Sequence, residues 1–287
     1  MRFSRSLLPI ALLVTTTIVS SAQTPAPASN NILTVFRESV KVGKGGAHDA
    51  HEEAWARAVT AAKGAEPFVA MSSLTGPSEI WYMQAFPTWD AYQKSTESNR
   101  ANAAQAAVDK HYRATEGEYL NDSRLMVLRQ RPELSYGGPA DLPNMKFISV
   151  SRISVRPGHT SEYEEARRLV NEAHTKAGLN EKWAMYEVAS GAPSGTFYIF
   201  IARPSLADLD QGAALHGPAY IAALGGDEGQ KKIAALMASA VISQQTDHFA
   251  FEPSQSVPPP MWVEANPGFW KPKAMAPAAR KPAAPKP

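Results

Sequence analysis

The chain has 287 residues, with 29 Lys and Arg against 27 Asp and Glu, and it contains no cysteine. Disulfides, thiolate chemistry and lipid attachment at a cysteine are thereby excluded, and stability must come from a packed core. Setting aside the two arginines of residues 1–22 and the five cations of the last seventeen residues, stretches that hold no acids, leaves 22 basic and 27 acidic groups. An acidic body argues against nucleic-acid binding, which depends on neutralising phosphate.

Residues 1–22 read as a secretory signal. Arg2 and Arg5 form a basic start, Leu7 to Val19 is apolar, and Ser20-Ser21-Ala22 supplies small residues before a cut. The apolar run is shorter than the ~20 residues of a comfortable membrane span. The expected product is periplasmic or secreted with no transmembrane segment, an uncleaved anchor being the alternative. Residues 23–30 form a Pro/Ala/Ser linker.

A first repeat is expected over residues 31–135. Ile32 to Gly43 reads as a strand running into a Gly turn, and His48 to Lys63 as a helix with Trp55, Val59 and Ala62 recurring on one face. Pro67 to Leu74 and Glu79 to Phe86 are strands around a Thr-Gly-Pro-Ser turn. Thr88 is a candidate N-cap for the next helix. An Ala-rich helix from about Asn102 to Tyr119 and a strand from Arg124 to Arg131 complete the unit.

Residues 136–144 form a Gly/Pro linker, and a second repeat follows over 145–254. Its strands are expected at Lys146–Val155, Glu181–Ala189, Thr196–Ala202 and Thr246–Glu252, with a helix from about Ser161 to Lys176 and another carrying Ile233, Leu236, Met237 and Val241. Arg37 and Arg152, and likewise Gly43 and Gly158, lie 115 residues apart. Ile80-Trp81-Tyr82 matches Phe197-Tyr198-Ile199. Each copy reads β-α-β-β-α-β, the ferredoxin-like unit. The fold class is therefore α+β: two tandem ferredoxin-like repeats whose sheets cover each other as an intrachain α+β barrel.

From Pro253 to Pro287, ten of 35 residues are Pro. Residues 255–287 are expected to be a Pro-rich basic tail, largely disordered. Trp262, Phe269 and Trp270 offer the alternative of an arm docked on the body.

Arg203-Pro204-Ser205-Leu206-Ala207-Asp208 leaves the third strand of the second repeat, and Leu215-His216-Gly217-Pro218-Ala219-Tyr220 follows it. With the element order, these stretches resemble the dimeric α+β barrel superfamily, in particular its antibiotic-biosynthesis-monooxygenase and NIPSNAP-like branches, over about Asn31 to Ser254. The resemblance implies a barrel that hosts cofactor-independent monooxygenases, haem-handling enzymes or plain binding proteins, and it selects none of these.

His216 sits where Gly217 and Pro218 break a helix, so its imidazole could act as a base or bind haem iron, or simply bond to a loop backbone. Arg37 and Arg152 should share one sheet face, either to bind an acidic group or to pair with helix carboxylates. Alternation sends Trp81 and Tyr198 to one face and Tyr82 to the other. Trp81, Trp183 and Tyr198 are candidate walls for a flat apolar ligand. His48, His51 and Glu52 could share one helix face, but read as a solvated helix start, and no metal site is expected. The expected function is an exported protein that binds a small apolar or aromatic molecule, with no cofactor. The alternative is a cofactor-independent monooxygenase or a haem enzyme. Oligomeric state is left open.

Overall fold

The computed structural model describes residues 31–62, 66–212 and 217–271. Eight strands close into one antiparallel barrel. They are β1 (Ile32–Val40), β2 (Val69–Ser73), β3 (Glu79–Phe86), β4 (Leu120–Gln130), β5 (Phe147–Val155), β6 (Ala184–Ser190), β7 (Thr196–Arg203) and β8 (Val241–Phe251). Helix α1 (Gly45–Ala62) follows β1, and α2 (Trp89–Ala101) and α3 (Ala103–Glu116) lie between β3 and β4. In the second half α4 (Thr160–Lys176) follows β5, and α5 (Pro218–Ala223) and α6 (Gly226–Ala240) precede β8. As expected at Thr88, its Oγ1 accepts a bond from the Ala91 amide and caps α2.

Each half pairs its strands alike. β1 lies between β3 and β4 as β5 lies between β7 and β8, and β2 and β6 pair β3 and β7. Two seams then close the ring: β2 to β8, with Met71 opposite Phe251, and β4 to β6, with Leu128 opposite Val188. The edges that each half would leave bare are thereby used up. The second seam needs Gly191. Its φ of +81° suits glycine, and a Cβ there would meet the Leu125 carbonyl oxygen at 2.2 Å.

Alternation decides what is inside. Leu33, Val35, Met71, Trp81, Met126, Leu128, Val150, Tyr198, Phe200 and Phe249 form the buried cluster within the barrel. The opposite strand faces pack under helices: Ile80 and Tyr82 with Ala56 of α1, and Ile153, Met185 and Phe197 with Tyr163 of α4. The inside is therefore a packed core, not the open chamber expected for a flat ligand.

Residues 255–271 depart from the disordered tail expected there. The short helices α7 (Pro260–Ala265) and α8 (Pro267–Trp270) pack at the barrel end where β5 begins and β8 finishes. Trp270 is fully buried, packs on Phe251, and donates its indole N–H to the Pro143 carbonyl at 2.8 Å. The aromatic residues win because burying Trp270 beside Trp262 and Phe269 offsets the ordering entropy of a short segment.

Candidate functional site at the barrel mouth

At the other end, where β1 and β5 finish, a cavity of about 110 Å³ remains. Arg37, Trp81, Arg152 and Tyr198 all line it, with Glu79, Gln245 and Asp247. The convergence follows from register: Arg37 is opposite Trp81 and Arg152 is opposite Tyr198. Two arginines and two rings thus come to one opening from matched places in the two halves.

The two arginines differ in their partners. Arg37 Nη2 donates to both Glu79 carboxylate oxygens, at 2.6 and 2.7 Å, and its guanidinium lies 4.6 Å from the Trp81 ring centroid. The Trp81 indole N–H donates to the same carboxylate at 2.7 Å. Arg37 is therefore neutralised and fixed. Arg152 Nη2 donates instead to the neutral Gln245 Oε1 at 3.1 Å, and Gln245 Nε2 donates onward to Asp247 at 2.8 Å. Arg152 is exposed, and no carboxylate among the described residues lies within ion-pair distance of it. Burial pushes the Tyr198 phenol up, against the opposing pull of Arg37 and Arg152. Among the described residues neither arginine pairs with a helix carboxylate, the alternative the sequence left open.

Trp183 is elsewhere. It lies on the outer barrel face, stacked on Tyr136 at 4.9 Å between ring centroids and donating its N–H to the Leu134 carbonyl at 3.0 Å. It joins the core under α4, so it is no part of the cavity. His216 lies outside the described residues.

A second polar group sits beneath α1, where a solvated helix start was expected. His48 is fully buried, Glu38 is 2% exposed and Glu52 5%. His48 Nε2 lies 2.8 Å from Glu38 Oε2 and 4.0 Å from Glu52 Oε1, and Glu52 Oε1 also meets His51 Nδ1 at 2.8 Å. Burial, with the Glu52 and Glu116 carboxylates nearby, pushes Glu38 up to about 10. Burial also lowers His48, against the opposing pull of Glu52 and Asp49. Nothing in the helix sequence announces Glu38, which arrives from β1.

No protein-family model matches the chain, and no match is found among curated protein sequences. Solved structures give distant likenesses. An anthrone oxidase-like protein is 10% identical, with a TM-score of 0.49 over 78% of this chain and 92% of that one. A candidate monooxygenase from Fusobacterium nucleatum is 11% identical, with a TM-score of 0.48 over 77% and 91%. A chlorite dismutase variant from Candidatus Nitrospira defluvii is 13% identical, with a TM-score of 0.42 over 78% and 92%. At such scores they carry nothing about activity, and the architecture rests on the strand pairing itself.

Proposed function

We propose that the chain is an exported binding protein whose barrel mouth takes a small organic acid. The ligand's carboxylate would sit on Arg152 and its apolar part against Trp81 and Tyr198. One observation carries this reading: of the two arginines lining the cavity, Arg152 alone lacks a carboxylate partner among the described residues. A guanidinium at the rim of an aromatic-walled cavity matches a planar anion. The volume, about 110 Å³, is below the ~300 Å³ at which drug-sized pockets begin, so a small acid suits it better than a polycyclic one. The basic and apolar opening residues support export to the periplasm or medium. Among the described residues no helix is long and apolar enough to cross a membrane. The 115-residue spacing of Arg37 and Arg152 and the like pairing of the halves support an origin as two tandem ferredoxin-like repeats.

The enzyme alternative has less in its favour. A haem does not fit the mouth: the core fills the barrel, the cavity is small, and no histidine lines it among the described residues. Glu79 is occupied by Arg37 and Trp81 and is poorly placed to serve as a base.

The test is a titration of the mature protein with benzoate-sized acids and their uncharged amides, followed by tryptophan fluorescence. Acids should bind, and Arg152→Ala should weaken them by about tenfold or more, one charge-assisted bond being worth ~1.5–3 kcal/mol. Equal binding of the amides, insensitivity to Arg152→Ala, or no binding of any acid would overturn the reading.

A further inference from the structure

The group beneath α1 has no part in the barrel mouth, yet it is costly to bury. Glu38 and Glu52 lie in the layer between β1 and α1, with Glu116 of α3 close enough to act on Glu38. Neither Glu38 nor Glu52 is paired with a lysine or arginine among the described residues. Their basic neighbours are His48 and His51. Uncompensated carboxylates in such a layer are strongly disfavoured.

The fold does not demand this cluster. The corresponding layer of the other half, under α4, is built from Ile153, Tyr163 and Phe197, all nearly inaccessible, with the Tyr163 and Phe197 rings 4.9 Å apart. Ile153 follows Arg152 on β5 just as Glu38 follows Arg37 on β1. Where β1 places the carboxylate of Glu38, β5 thus places the apolar Ile153, and no carboxylate is built into that position of the second half.

We propose that Glu38, His48 and Glu52 form a binding site for one divalent cation of the zinc class. One donor atom from each lies within 4.8 Å of the other two. The donors of a tetrahedral zinc ion, bound at ~2.0–2.2 Å, are about 3.4 Å apart, so small rotations of the Glu side chains would complete the set. An imidazole with two carboxylates suits zinc and its first-row neighbours better than calcium or magnesium, which favour all-oxygen shells. His51, bonded to Glu52, is placed to orient that ligand.

A second observation points the same way. The Tyr82 hydroxyl, on the strand face that packs under α1 with Ala56, is buried without a hydrogen-bond partner among the described residues. Three protein ligands leave a fourth position for a hydroxyl or water. A cation would offset the carboxylate charge and tie β1 to α1.

The test uses the full mature chain, stripped with chelator, then titrated with zinc and separately with cobalt(II). One equivalent of zinc per chain and visible d–d absorption from bound cobalt are expected, with the thermal midpoint rising on zinc addition. Glu52→Gln and His48→Gln should each remove the cobalt spectrum. His51→Ala should weaken zinc binding by about 10–100-fold while keeping the spectrum. The wild-type cobalt spectrum stands independently of whether the variants fold: its absence from folded wild-type protein would overturn the proposal. Cobalt binding that survives in folded Glu52→Gln and His48→Gln proteins would place the ion elsewhere and overturn it as well.

Discussion

Arg37 and Arg152 meet at one opening from matched strands, but among the described residues only Arg37 is held by a carboxylate, Glu79. Substituting the two should therefore have different consequences. Arg37→Ala leaves Glu79 part-buried without its cation, and should cost stability by about 1–3 kcal/mol in urea denaturation. Arg152→Ala removes an exposed side chain, and should change stability by no more than ~0.5 kcal/mol. A large stability loss in Arg152→Ala would show that its bond to Gln245 matters to folding and not to ligand capture.

Glu181 sets an acid limit on stability. Its hydrogen bond to His174, with Arg203 alongside, holds its carboxyl below the ordinary 4.5 despite burial. The folded-state value is depressed, so the stabilisation is present above the unfolded value and is lost as pH falls through the folded one. Glu181→Gln should be less stable than wild type at neutral pH, with the difference shrinking below about pH 4.5. Urea midpoints at pH 7 and at successively lower pH provide the check, and a constant difference would contradict it.

Gly191→Ala tests the β4–β6 seam. A positive φ and a 2.2 Å approach to the Leu125 carbonyl oxygen leave no room for the methyl without moving backbone. A loss of at least about 2 kcal/mol is expected in chemical denaturation. The equivalent change at Gly43, whose φ is +80° but whose Cβ would meet nothing within 4 Å, should cost less.

Trp270→Ala tests the closed end. Removing a fully buried indole packed on Phe251 should cost about 3–5 kcal/mol by thermal or urea unfolding. A shift of less than ~0.5 kcal/mol would mean that residues 255–271 add little to the barrel.

The strand calendar of the chain is written in its alternation, and so is the shared face of Trp81 and Tyr198. Which face turns inward is not: both are apolar, because one packs under helices and the other fills the barrel. Trp183, a candidate wall by composition, therefore lies on the helix-covered face and not with Trp81 and Tyr198 at the mouth. Its parity with Met185, against Tyr186, was the available signal. Under α1 the difficulty was different. His48, Glu52, Ala56 and Val59 form the inward stripe, but two polar members at a helix start imitate a surface turn. Their third partner, Glu38, precedes them on a strand, and no helical periodicity can reveal it. The docked Trp270 was similarly hidden in a Pro-rich stretch, where composition speaks for an extended chain and three aromatic rings decide otherwise.

Because aromatic helices stopper one end of the barrel, the acid proposed to bind Arg152 would come and go by the other. A molecule held there would leave by the door it came through, so competing ligands would queue for the same opening. The last described residue, Lys271, emerges on the far side. A dye coupled at Lys271 itself, which is exposed, would therefore sit behind the vessel and leave its doorway clear.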